Sequence, residues 1–172
     1  MSKGLIEITI ELLAGLKINI SQEVFRLLGE YEQQLGSNEN GGVLMGKKAA
    51  GKEEYFIEMI TVPTEKDRSG QSFFVRNKEA AQKIINEKWR SSEGQTNYVG
   101  EWHTHCCRSP IPSRTDHKLM KQIAKDGSSP FKHFFMIILG QDGDVHISAV
   151  DSSKGTAVAT INFNVWEKFV HD

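Results

Sequence analysis

Cysteine is nearly absent: the only two, Cys106 and Cys107, are adjacent. Neighbouring cysteines make a poor ordinary disulfide, which argues against a cross-linked secreted scaffold and fits a reducing compartment. Long apolar runs are also missing. No stretch reaches the roughly 18 residues a membrane-spanning helix needs, and Glu7 and Glu11 interrupt the apolar segment Leu5 to Leu16 that could otherwise pass for a signal peptide core. The chain therefore reads as cytoplasmic, with no membrane partner. Nor does charge of one sign prevail, since 21 Lys+Arg against 22 Asp+Glu give a net charge of −1. Without a long basic run or interleaved aromatics, nucleic acid is not an expected partner. Internal repeats and low-complexity linkers are absent as well. At 172 residues, 38% hydrophobic, the expectation is one globular module over residues 1–172.

What is present alternates between strand and helix signals. Leu5 to Ile10 and Leu16 to Ile20 read as short strands, followed by a helix with Ser21 as N-cap, a face of Val24, Leu27, Leu28, Tyr31 and Leu35, and Gly36 as its end. Gly41 to Lys48 and Tyr55 to Val62 form a hairpin. A polar loop, Thr64 to Gln71, leads to a strand at Ser72 to Val75 and a helix whose inward stripe is Ala81, Ile84, Ile85, Lys88 and Trp89. Asn97 to His105 is extended, Ser113 opens a third helix, and His133 to Leu139, Val145 to Val150 and Ala157 to Val165 complete the strands. The fold class this implies is α/β, one mixed sheet covered by helices.

The chemistry concentrates in His103-Thr104-His105 and, seven residues later, Ser113-Arg114-Thr115-Asp116. On an extended segment, side chains at i and i+2 project the same way, so one strand can aim both imidazoles at one ion. Asp116, in the first turn of the helix that Ser113 caps, offers a third ligand. Two His and one carboxylate leave a tetrahedral zinc with an open position, the mark of a catalytic rather than a structural site. Such a site needs a carboxylate to take and return a proton. Glu39, in the loop entering the Gly41 strand, and Glu101, two residues before His103 on the same strand face, both qualify, and spacing alone leans towards Glu101.

These residues resemble the JAMM (JAB/MPN) metalloproteases, whose signature is a Glu, then His-x-His, seven residues, and Ser-x-x-Asp. Here it is matched by Glu39, His103, His105, Ser113 and Asp116, with Gly42-Val43-Leu44-Met45-Gly46 as the glycine-flanked strand that follows the glutamate in that family. In element order the likeness runs from about Gly36 to Val150. It implies a JAB/MPN-like, cytidine-deaminase-like three-layer fold with a mixed, mostly antiparallel sheet. It also implies zinc held by His103, His105 and Asp116, Glu39 as general acid/base, and Ser113 as the oxyanion donor. The phrase Gly100-Glu101-Trp102-His103-Thr104-His105 is similar to the standalone JAB peptidases of conjugative elements and antiphage (CBASS) operons. Those act beside activating- and conjugating-enzyme-like partners and release a nucleotidyltransferase from its conjugate. The implied activity is zinc-dependent hydrolysis of the peptide or isopeptide bond after a ubiquitin-like C-terminal tail.

Other readings stay open. Within the family, the substrate could be a ubiquitin-like or sulfur-carrier protein to be trimmed; outside catalysis, such domains serve as scaffolds, usually after losing motif residues, and here all five are present. A nucleobase deaminase would need His-x-Glu with Pro-Cys-x-x-Cys, which the sequence lacks. Cys106 stands where the family commonly has proline. It is either a thiol within reach of the ion or a small side chain at a strand end. Pro110 and Pro112 stiffen the loop before Ser113. His117, His133, His146 and His171 have no ligand spacing and read as surface or core histidines.

Overall fold

The run His133–Leu139 is buried along its whole length, so the strand it forms has to be covered on both faces. The computed structural model describes residues 7–126 and 129–169. Their order is β1 (Glu7–Leu13), β2 (Leu16–Ser21), α1 (Gln22–Gly29), β3 (Gly41–Lys48), β4 (Glu54–Ile60), β5 (Arg68–Gly70), β6 (Phe73–Val75), α2 (Lys78–Ser91), β7 (Asn97–Thr104), α3 (Arg114–Asp126), β8 (His133–Leu139), β9 (Asp144–Asp151), β10 (Thr156–Asn164) and α4 (Val165–Phe169). Eight strands form one sheet in the order β1-β2-β4-β3-β7-β8-β9-β10. The β2/β4 and β7/β8 pairs are parallel and the remainder antiparallel, the mixed sheet the sequence predicts.

Side-chain alternation divides the core into layers. Val24, Phe25 and Leu28 of α1 pack on one face of the sheet with Leu44, Trp102, Phe135, Ile137 and Ile147. The intervening residues face the other way, Val43 and Met45 against α2, Met136, Ile138 and Val150 against α3. This is a three-layer α/β arrangement. The Phe25 and Phe163 rings meet edge to face at 6.1 Å, so β10 at the far edge of the sheet reaches α1 as well. Among the described residues no helix is long and apolar enough to cross a membrane.

Several sequence expectations are corrected. The first helix stops at Gly29 with Glu30 as its C-cap, not at Gly36, and Leu35 is 92% exposed. The reason is polar: Gln33 is buried instead, its amide donating to Ser37 O and Gln71 O at 3.0 Å each, which a continued helix would not allow. Arg68–Gly70, expected as loop, is a strand paired with β6. Three residues, two of them polar or charged, are too few to show an alternation. Trp89 lies on the expected inward stripe but is 48% exposed. The last strand ends at Asn164, whose side chain accepts from Trp166 N at 3.0 Å and so starts α4. Leu5 and Ile6 of the first expected strand and His171 lie outside the described residues.

Two glycines let the site-bearing strands approach. A Cβ on Gly42 would lie 2.2 Å from Thr61 O, and Gly100, at φ +149°, would place one 1.8 Å from Phe135 O. Gly100→Ala is therefore expected to lower stability by about 3 kcal/mol, because β7 would have to leave β8 or adopt a backbone unfavourable for alanine. Urea unfolding measures this; a loss under about 1 kcal/mol would contradict the register.

Candidate metal centre

His103 is the penultimate residue of β7, on the α2/α3 face of the sheet because its neighbour Trp102 points to the α1 core. His105 follows just past the strand, where its N–H still bonds Leu139 O at 2.9 Å. Ser113 and Asp116 form a reciprocal cap at the start of α3: Ser113 N donates to Asp116 Oδ2 at 2.7 Å and Asp116 N donates to Ser113 Oγ at 3.2 Å. The cap turns the Asp116 carboxylate towards the histidines.

The three side chains converge on one point. His103 Nε2 lies 3.2 Å from His105 Nε2 and 3.1 Å from Asp116 Oδ1, and His105 Nε2 is 3.4 Å from Asp116 Oδ2. Ligands at about 2.0–2.1 Å from a tetrahedral zinc are separated by roughly 3.3–3.4 Å, so the donor set fits such an ion without rearrangement. Among the described residues this is the one cluster of three metal-ligating groups. Burial works against an ionised Asp116, but hydrogen bonds from His103 and His105 outweigh it and hold the carboxyl well below the usual range.

Glu39 reaches the same place by a different route. Asn40 and Thr104 close the end of the β3/β7 ladder, Thr104 N donating to Asn40 O at 2.9 Å and Asn40 N to Thr104 Oγ1 at 3.0 Å. This sets Glu39 beside the ligands, where it is buried. Its own N–H bonds Gly70 O of β5 at 2.8 Å. Burial raises its pKa, the His103 and His105 charges pull it down, and Asp116 raises it again; the net direction is upward. A raised carboxyl is the form a general acid/base needs.

Glu101, the competing base, is on the expected face but engaged elsewhere. Its Oε1 accepts from Arg76 Nε at 3.1 Å, Arg76 Nη2 at 3.0 Å and Tyr98 Oη at 3.1 Å. Spacing along one strand could not reveal Arg76, which arrives from the turn between β6 and α2. Cys106 is also outside the ligand cluster, its Sγ accepting from Gln141 Nε2 at 3.5 Å. His117 is exposed; His133 is buried against Glu53 at 2.9 Å, away from the centre. His146 is buried on β9.

Sequence reasoning missed the groove beside the centre. It has a volume of about 640 Å³, runs between α2 and α3, and is lined by Tyr98 and Phe134 from the sheet, Ile85 and Trp89 from α2, Leu119 from α3 and Phe74 from β6. Glu101 and Thr115, close in sequence to His103 and Asp116, belong to its lining. The groove draws on β6, α2, β7 and α3, so no local pattern could announce it. Along one side runs β6, which pairs with β5 alone.

Fold and ligand set together define a JAB-type metal-binding domain. Residues 21–152 match the family described as prokaryotic homologs of the JAB domain, and the chain belongs to that family. It is 32% identical over 124 residues to a protein of Enterobacter hormaechei subsp. hoffmannii named CD-NTase/cGAS isopeptidase, covering 71% of this chain and 67% of that one. A Vibrio cholerae protein of the same name is 32% identical over 106 residues, 61% of this chain and 67% of its own. A probable metalloprotease of Sinorhizobium fredii is 30% identical over 102 residues, 59% and 62% respectively. The aligned parts thus span about two thirds of these relatives' lengths. The solution structure of a Desulfitobacterium hafniense protein shares the fold, with a TM-score of 0.56 at 14% identity over 84% of this chain and 88% of that one.

Because the folded protein ionises Glu39 less readily than the unfolded chain does, metal-free stability falls as pH rises through the carboxylate range. Glu39→Gln removes that penalty. The metal-free variant is expected to be more stable than the wild type at pH 8, with the difference fading as pH falls through the carboxylate range. Urea titrations at pH 8 and across that range test it; equal stability at pH 8 would place Glu39 in water.

Proposed function

We propose that this chain is a zinc-dependent isopeptidase that releases a conjugated nucleotidyltransferase, or another protein with a ubiquitin-like C-terminal tail, from its attachment. The observation that carries the reading is the convergence of His103, His105 and Asp116 at tetrahedral spacing, with the buried Glu39 carboxyl, its pKa raised, beside them. Relatives named CD-NTase/cGAS isopeptidase support the substrate class. The cytoplasm, where activating- and conjugating-enzyme-like partners would act, is the compartment that fits.

His103, His105 and Asp116 would hold zinc, which supplies Lewis acidity towards a carbonyl oxygen and lowers the pKa of water. Glu39, its carboxyl raised by burial, accepts a proton at its side-chain oxygen and returns it to the departing amine. The Ser113 hydroxyl, at the exposed mouth of the centre, donates a hydrogen bond to the oxygen that gains charge as the carbonyl is attacked. An extended tail lies along the open edge of β6, where main-chain hydrogen bonding is available, with its apolar side chains in the groove between α2 and α3. Arg76, held by Glu101, keeps the β6 end of that path in place.

Plasma mass spectrometry should find one zinc per wild-type chain and less than a tenth of that in His103→Ala. The substrate is a nucleotidyltransferase of the kind on which the Enterobacter relative acts, its C-terminus fused to a fluorescent protein. Glu39→Gln is expected to retain zinc and lose about 10³-fold in kcat, and Ser113→Ala about 10²-fold. Stoichiometric zinc in His103→Ala, or undiminished cleavage by Glu39→Gln, would overturn the mechanism.

A further inference from the structure

Ser113 is exposed, as are most residues of the loop that carries it; between Cys106 and Ser113 only Pro110 is buried. Packing of the loop's own side chains therefore does little to fix the loop: polar bonds do, Asp116 N to Ser113 Oγ at 3.2 Å at its end, and Ser109 N to Asp144 Oδ2 at 3.1 Å and Gln141 N to Cys107 O at 2.8 Å at its start. The Pro110 carbonyl is fixed, accepting from Asn162 Nδ2 of β10 at 2.8 Å, and a Cβ on Gly140 would come within 2.7 Å of the Pro110 ring. Behind Asn162 stands a chain of buried groups. Asn162 Oδ1 is 2.8 Å from His146 Nδ1, and His146 Nε2 is 2.6 Å from Ser148 Oγ.

The direction of every bond in this chain follows from one end. A carbonyl can only accept, so the Asn162 amide must turn its NH₂ to Pro110 and its oxygen to His146. The oxygen requires a proton on His146 Nδ1, which leaves Nε2 as the acceptor for the Ser148 hydroxyl. This works with a neutral imidazole, and burial pushes the His146 pKa down; the Asn162 hydrogen bond and the Asp116 charge oppose that, while His117 and His105 reinforce it. Register places His103, Ile138, His146 and Asn162 side by side across β7 to β10. The loop is thus referenced to the sheet row that also presents a metal ligand. From Pro110, Ile111 and the ring-locked Pro112 carry that reference to Ser113.

We infer that Ser148, His146 and Asn162 are positioning residues that hold the Pro110–Ser113 loop so that the Ser113 hydroxyl faces the reacting carbonyl. The inference rests on the oxyanion role proposed for Ser113. Asn162→Asp isolates it: one carboxylate oxygen still accepts from His146 Nδ1, while the other repels the Pro110 carbonyl instead of donating to it.

Four zinc-loaded full-length chains are compared: wild type, Ser113→Ala, Asn162→Asp and the double variant. The substrate is the nucleotidyltransferase–fluorescent protein fusion, and amide hydrogen exchange is followed over residues 107–113. Asn162→Asp is expected to keep one zinc per chain, lose at least tenfold in kcat with KM within twofold, and exchange faster across that loop. In the Ser113→Ala background the same substitution should cost less than twofold. Ser148→Ala, a smaller perturbation, should lose about threefold and likewise become silent without Ser113, which covers a failure of Asn162→Asp to fold. Unchanged loop exchange in Asn162→Asp, or a loss that multiplies fully with that of Ser113→Ala, would overturn the inference. A Ser113→Ala chain as active as wild type would instead remove the oxyanion role, with loop exchange still reporting whether Asn162 anchors the loop.

Discussion

The pairing of β3 with β7 is the constraint on which the site depends. Gly41 stands opposite His103 in this ladder, so the residues just before β3 are obliged to lie next to the His103–His105–Asp116 cluster. The pairing is tight because its glycines meet backbone and indole atoms where a side chain would collide, and Trp102, buried behind it, donates its indole N–H to Thr61 O at 2.9 Å. With the ladder in register, the Asn40–Thr104 bonds finish it and Glu39 has no other place to go. A slip of one residue would send His103 to the α1 core and Trp102 to the site.

At that end of the sheet four ionisable groups share a small, largely dry space. Two imidazole nitrogens at 3.2 Å and a carboxylate between them make a costly arrangement in a chain selected only for stability. A cation at their centre would resolve it, since the same nitrogen and oxygen atoms converge on one point and would bind it once the imidazoles give up the protons now shared with Asp116. Glu39 stands outside that arrangement and keeps its proton more readily than an exposed glutamate. A divalent ion at the centre would pull the other way, which suits the proton transfer proposed for Glu39.

The walls of the site come from segments remote in sequence: apolar contact seats α2 and α3 on the sheet, and polar bonds hold the hairpin and the loop beside them. Arg76 spans from the β6–α2 turn to Glu101 and carries the β5–β6 hairpin with it; Glu39 N to Gly70 O ties the same hairpin to the residue proposed as the general acid/base. On the other side, Asn162 and Pro110 join the loop before α3 to β10. Arg76 and Glu101 themselves line the groove between α2 and α3, so a peptide laid along it would touch the ion pair that also holds the β5–β6 hairpin.

Much of this was legible in the sequence because it is local. His103 and His105 share a direction through strand periodicity, Ser113 and Asp116 share a helix turn through capping chemistry, and the apolar run from His133 announces a strand buried on both faces. The mixed sheet with helices on it follows from the order of such segments. What lay beyond reach depends on distance in sequence. Spacing alone leaned towards Glu101 as the base, since Arg76, which engages it, comes from the turn between β6 and α2; only likeness to a family pointed to Glu39. Gln33 rather than Leu35 enters the core because Ser37, Gln71 and Thr104 converge there, and His146, with no ligand spacing, acquires Asn162 as a partner only when β9 and β10 pair. Local periodicity, governed by backbone geometry, determined the elements and the ligand motif. The tertiary structure decided which polar groups meet, because hydrogen bonds between strands and loops form only once the chain has folded.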